Sequence, residues 1–142
     1  MTDTESNLDK LRRWEATYRR EGDMAALGLV DEVFHPEIEF SPRFTREIEG
    51  RTLHGREELR AFFEDLRETF DNFGYEPAEF ESISDDVIIV RTRLVGAGRG
   101  SDVQLAQELA SVYEFEDGLV RRLTAFGSRE EALSRAMTVQ DA

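Results

Sequence analysis

The sequence predicts an α+β domain: a strongly curved, mainly antiparallel sheet wrapped around one long helix into a cone, with two further N-terminal helices and a short C-terminal helix. Three observations predict it. Helical periods fill the first half of the chain and strand periods the second, an order that places helices against an antiparallel sheet. Residues 104–126 read as two strands joined at Asp117-Gly118, which supplies the left-handed backbone of a tight hairpin turn. Residues 55–70 carry Leu59, Phe62, Phe63, Leu66 and Phe70 on one helical face, enough aromatic bulk to fill a cone.

The elements follow in order. Ser6 and Asp9 form a capping pair that opens a helix with Leu8, Leu11, Trp14 and Tyr18 on one stripe, and Gly22 closes it. Asp23 can cap a second, short helix through Met24, Ala25, Leu27 and Val30. His35-Pro36 then interrupts the helical pattern, and Ile38 and Phe40 alternate with Glu37 and Glu39 as a strand. Residues 41–51 show no period and read as a loop able to cover a cavity mouth. After the third helix, residues 75–84 read as a strand with Pro77 near its start, hence at an edge or bulge. Asp85-Asp86 turns it into residues 87–95, with Ile88, Val90, Thr92 and Leu94 on one face and Arg91 and Arg93 on the other. Residues 96–102, GAGRGSD, connect to the long hairpin. They lack the Gly-Lys-Ser/Thr ending of a phosphate loop and precede a strand. Ser128 and Glu131 cap the closing helix.

At 142 residues the chain suits one domain, residues 1–142, with 1–6 and 138–142 expected to fray. A net charge of −13 argues against nucleic acid and anionic membrane as partners. The N-terminus has neither a basic end nor an apolar centre, and no run approaches the ~18 apolar residues of a membrane span, so a cytoplasmic protein is expected. Zero cysteines exclude thiolate chemistry, and two histidines 19 positions apart with no ligand spacing argue against a metal. Lys10 is the single lysine, a bias that suits either a high-salt surface or a GC-rich coding sequence, with the latter preferred.

On the first hairpin strand Leu105, Gln107, Leu109, Ser111, Tyr113 and Phe115 share a face, opposite Gln104, Glu108, Glu114 and Glu116. A buried polar group without a partner costs about 1–3 kcal/mol, so three inward polar residues suggest a lined cavity. The expected lining is Trp14, Tyr18, Phe40, Phe63, Gln107, Leu109, Ser111, Tyr113 and Phe126, with Gln107, Ser111 and Tyr113 orienting a ligand oxygen. Trp14 and Tyr18 could equally be plain core, although both carry a polar atom that a pocket wall would partner.

Four segments, YRREGDMAAL, FHPEIEFSP, LHGREELRAFFEDL and GAGRGSD with YEFEDGLVRRLTAFGSREEAL, together resemble the SnoaL-like branch of the nuclear-transport-factor-2-like superfamily across most of residues 8–137. The resemblance implies the cone fold, a homodimer through the open sheet face, and an apolar pocket. It also implies relatives such as ketosteroid isomerase, scytalone dehydratase, limonene epoxide hydrolase and polyketide cyclases, besides non-catalytic members. The isomerases' two acids align near Ser41 and Ser111, and the acid common after the final-strand aromatic is replaced by Gly127. A serine can donate to an oxyanion but is too weak a base for a carbon-bound proton, which argues against steroid-type isomerisation.

The expected function is therefore binding of a small, largely apolar molecule, with cofactor-independent isomerisation, cyclisation or hydration of a polyketide-, steroid- or terpenoid-like substrate as its chemistry. The alternative is a non-catalytic dimerisation or ligand-sensing module whose interior is filled. The catalytic candidates are His35, Ser41 and Ser111. His35 titrates near neutrality, yet beside Pro36 it more commonly serves a turn. Glu37 and Glu39 should point outward unless a bulge turns one inward.

Overall fold

The structure, a computed structural model, describes residues 6–21, 28–42, 50–75, 78–98 and 104–140; within these, the side chains of 19–21, 66, 67, 69–75, 94, 97, 98, 104–107 and 140 are outside that description. The segment assigned to a second helix at 24–30, most of the 41–51 loop and residues 99–103 fall largely outside the described residues. The elements are α1 (Asn7–Glu21), α2 (Val30–Val33), β1 (Phe34–Ser41), β2 (Leu53–His54), α3 (Gly55–Thr69), β3 (Phe70–Tyr75), β4 (Glu79–Ser82), β5 (Val87–Gly98), β6 (Gln104–Glu116), β7 (Leu119–Phe126) and α4 (Arg129–Gln140).

The strands form one curved sheet in the order β2-β1-β7-β6-β5-β3, with β4 also on β5. Its spine is the β5–β6 ladder, in register from Val87↔Glu114 to Ala97↔Gln104, and β1 joins β7 in parallel. Asp117 (φ 54°) and Gly118 (φ 80°) make the β6–β7 turn in the left-handed conformation that the Asp-Gly pair suits. Just past the turn the ladder slips: Phe115 pairs with Val120 but Glu114 pairs with Arg122, leaving Arg121 as a bulge. That extra residue lets Val120 and Leu123, three apart, both enter the same buried cluster.

The cone interior is packed by α1 and α3. Ser6 Oγ accepts the Asp9 N–H at 3.1 Å, the expected cap, and Leu11, Trp14 and Tyr18 are buried along one stripe. The start of α1 is fastened to two turns: Asn7 Nδ2 donates to the Asp85 carbonyl at 2.8 Å, and Lys10 Nζ donates to the Gly118 carbonyl. The start of α3 is fastened to the α2–β1 junction, where Arg56 Nε donates to the Phe34 carbonyl at 2.9 Å and Arg60 meets Asp31 at 2.8 Å. Leu59 and Phe63 bury themselves against Phe34, Ile38 and Phe40 of β1.

The sheet departs from the sequence-based picture in several places. β1 begins at Phe34, because Pro36 and its neighbours sit where β1 and β7 lose register, a place that tolerates a missing N–H. Phe70, assigned to the third helix, starts β3, and the strand expected at 75–84 is two, β3 and β4, each on β5. α4 continues through Gln140, into the segment expected to fray. It also lies on the outer face of the sheet, where Ala132 and Ala136 pack on Val87, Ile89, Ala110 and Val112 as a second buried cluster. Glu114 is thus not a solvated outer residue: its side chain is 14% exposed and takes Arg135 at 3.1 Å. Helices cover both faces.

Candidate functional site

The interior of the cone is a continuous aromatic wall. Trp14 meets the edge of Phe34 with centroids 5.0 Å apart at 84°, and Tyr18 lies 5.6 Å from Phe63. Phe63 stacks on Phe40 at 6.2 Å, and Phe40 meets Phe62 edge-on at 5.0 Å. These spacings are those at which ring quadrupoles attract, each pair adding about 0.5–1.5 kcal/mol beyond burial. Trp14, Tyr18, Phe40 and Phe63 are only 5–6% exposed. All four stand together, as the helical stripes and the β1 alternation require.

β6 supplies the polar side of this wall. Tyr113 pairs with Ile88 and Leu123, both interior residues, and packs against the same cluster. Ser111, half-buried, pairs with the interior Val90 and with Ala125, so strand alternation places it on the same face. Leu109 pairs with Thr92 and Gln107 with Leu94, further along the ladder, and the Gln107 side chain is outside the described ones. The Tyr113 hydroxyl is the polar group of this strand that the interior desolvates. Burial pushes its pKa well above the ordinary phenol value, and the Glu15 carboxylate of α1 adds to the shift. It is a neutral donor at any physiological pH. Sequence periodicity missed Glu15, since it sits one position off the α1 stripe.

Three other residues with expected roles lie elsewhere. Phe126 pairs with Ala110 and packs in the outer cluster beneath α4, because Ala125 takes the inward position at that step of β7. Ser41 follows the inward Phe40 and so takes the opposite face, where its hydroxyl is 3.1 Å from that of Thr52. His35 accepts the Glu37 N–H on Nδ1 at 3.0 Å, a local turn bond at the strand entrance. Of the catalytic candidates, Ser111 alone is brought to the interior. Glu37 is exposed and Glu39 meets Arg122 at 3.0 Å, so neither carboxylate turns inward.

Among the described residues no cluster of three His, Asp or Glu could hold a metal ion, and no helix is long and apolar enough to cross a membrane.

The SnoaL-like domain family model matches residues 11–123. None of the curated proteins matches the sequence. Among solved structures, the chain is similar to a nuclear-transport-factor-2-like protein of unknown function from Burkholderia pseudomallei, at 19% identity and TM-score 0.70, over 93% of this chain and 97% of that one. A candidate SnoaL-like polyketide cyclase from Jannaschia is similar at 18% identity and TM-score 0.69, over 97% and 96%. A protein of ketosteroid isomerase-like fold from Catenulispora acidiphila, in complex with trimethylamine, is similar at 14% identity and TM-score 0.66, over 91% and 92%.

Proposed function

The chain belongs to the SnoaL-like domain family, and from that premise we propose that the cone interior binds a small, largely apolar, oxygen-bearing molecule of polyketide, steroid or terpenoid type. One observation carries the reading: a phenol, Tyr113, packed against the apolar interior cluster on the same strand face as Ser111 and desolvated there. Leaving such a group unsatisfied costs about 1–3 kcal/mol, and a ligand carbonyl or hydroxyl removes that cost. Tyr113 then donates to the ligand oxygen, Ser111 lies on the same face to assist, and the aromatic wall of Trp14, Tyr18, Phe40 and Phe63 takes the apolar body.

If chemistry follows binding, it is cofactor-independent isomerisation, cyclisation or hydration in which the Tyr113 hydroxyl stabilises negative charge developing on that oxygen. Preorganised neutral donors suit this role because they need not reorient as charge appears. Two copies associate, on this reading, through the part of the outer sheet face that α4 leaves open.

The close ring packing favours one rival, a filled interior serving a non-catalytic dimerisation or sensing module. Native mass spectrometry of the purified protein, with thermal-shift titration of hydroxylated aromatic ketones, separates the two. Stoichiometric binding that weakens about fivefold in Tyr113→Phe, the value of one neutral hydrogen bond, supports the proposal. Absence of any copurified molecule together with no ligand-induced shift would favour the filled module.

A further inference from the structure

We infer that Glu15 is the proton acceptor of the interior site, a catalytic carboxylate carried by α1 and not by the sheet. The inference rests on the interior binding proposed above and supplies what that reading lacks, a base. Ser111 and Tyr113 can donate to an oxygen, but neither takes a proton from carbon. His35 is held in its turn bond, and Glu39, Glu81 and Glu114 meet arginines away from the interior cluster.

The path of α1 places the carboxylate. Asn7 fixes the helix start at the β4–β5 turn, where its Nδ2 donates to the Asp85 carbonyl at 2.8 Å. The Arg12 guanidinium lies 5.9 Å from the centre of the Phe80 ring, so the helix runs back along β4 from that turn. Phe80 packs against the interior cluster and stands in one row with Val90 and Ser111; the next row toward the turn is Ser82, Ile88 and Tyr113. Side chains three and four apart are neighbours on a helix, so Glu15 lies beside both Arg12 and Leu11. Leu11 is fully buried, and Glu15 is half-buried at the margin of the same stripe. The carboxylate therefore stands where α1 passes the rows of Ser111 and Tyr113. A second observation agrees: after burial, the Glu15 charge is the further cause that raises the Tyr113 pKa, so the two groups feel each other.

The step balances. An oxygen of Glu15 takes a proton from the carbon next to the ligand carbonyl, and the C–H electron pair forms the enolate double bond. The carbonyl oxygen gains the charge and accepts the Tyr113 O–H. Return of the proton from Glu15 to a different carbon completes an isomerisation and restores the carboxylate. A standing carboxylate would repel the enolate, but Glu15 is neutral while the enolate is charged, so the site carries a single negative charge throughout. Trp14 and Tyr18, before and after Glu15 on α1, are buried and give the apolar flank of this transfer.

5-Nitrobenzisoxazole tests the base without the natural substrate. Its ring opens when a base removes the carbon-bound proton: the N–O bond breaks, a nitrile forms and the charge passes to the phenolate oxygen, to which Tyr113 can donate. The full chain should open it with saturation and faster than acetate at equal concentration. Glu15→Gln lowers kcat about 100-fold, the worth of a positioned base, and leaves KM within about threefold. Glu15→Asp, which keeps the charge but draws it back by one methylene, recovers part of the loss. Glu37→Gln, the same charge change at an exposed strand residue, stays within about twofold. A Glu15→Gln kcat within about threefold of wild type overturns the assignment, as does an equal loss in Glu37→Gln, which would mark a general charge effect. Thermal shifts with the same probe keep this inference apart from the interior reading. A shift in wild type and Glu15→Gln without turnover by wild type overturns the base alone, whereas no shift in either overturns it together with the interior site. An unchanged melting temperature of ligand-free Glu15→Gln checks that the variant folds.

Discussion

Replacing Tyr113 by Phe keeps the ring and removes only the hydroxyl, so the variant isolates what that oxygen does. The phenol packs against the interior cluster, and its pKa is raised first by burial and then by Glu15. In the unfolded chain the same phenol ionises near the ordinary value of 10.0. Above that pH the folded state still binds the proton that the unfolded state has released. Stability must fall as pH rises, by up to about 1.4 kcal/mol per pH unit from this one residue, until the folded phenol itself ionises. Below pH 10 the residue contributes no slope. Urea denaturation of ligand-free wild type and Tyr113→Phe, followed from pH 8 to about 11.5, should give curves that run parallel up to pH 10 and diverge beyond it, wild type falling faster. Every other titrating group is common to both, so the difference belongs to Tyr113. In the parallel region the variant should lie within about 1 kcal/mol of wild type, because only a desolvated hydroxyl has been removed and the ring is kept. Profiles that stay parallel throughout, or a variant less stable than wild type by more than about 1 kcal/mol below pH 10, would refute the desolvated placement of this phenol.

Further outcomes follow from the packing. Phe63→Ala removes a ring touching Trp14, Tyr18, Phe40 and Phe62 and should cost about 3–5 kcal/mol in chemical denaturation. Glu114→Ala leaves Arg135 without its main carboxylate partner beneath α4; a loss of about 1–3 kcal/mol is expected, with amide exchange in residues 129–140 accelerated more than in β6. Glu81 is held below its ordinary carboxyl value chiefly by the hydrogen bonds from Arg129, so the stabilisation from this pair is present above pH 4.5 and lost as pH falls through the depressed value. Both partners are a third or more exposed, so Glu81→Gln should cost less than about 1 kcal/mol at neutral pH and nothing in acid, read from melting temperatures.

The elements legible in the sequence were those whose signal is local. The α1 stripe, the aromatic face of α3, the Asp117-Gly118 turn and the Ser128–Glu131 cap are each set by residues within one or two turns of one another. Their expected geometry is present, down to the 3.2 Å bond from the Glu131 N–H to Ser128 Oγ. What was not legible depends on distant partners. Phe70 continues the apolar period of α3, yet pairs with Gly98 as a strand, because a free ladder position on β5 outweighs one more helical residue. Glu114 reads as a surface residue until α4 folds over it.

The bulge at Arg121 shows why site residues are harder to read than elements. Alternation along β7 from the turn would put Val120 and Arg122 on one face and Arg121 and Leu123 on the other. The slip between Glu114 and Phe115 instead turns Val120, Leu123 and Ala125 all inward, and sends Arg122 outward to Glu39 at 3.0 Å. A one-residue change of register exchanges every side chain between faces, so one unpaired residue decides that Ala125, opposite Ser111, and not Phe126, borders the interior. The small side chain matters there. A phenylalanine opposite Ser111 would crowd the face that Tyr113 and Val90 share, which alanine does not. Phe126 goes to the outer cluster, against the alanines of α4. The same bulge thus sets which residue stands opposite Ser111 on one face and the footing of α4 on the other.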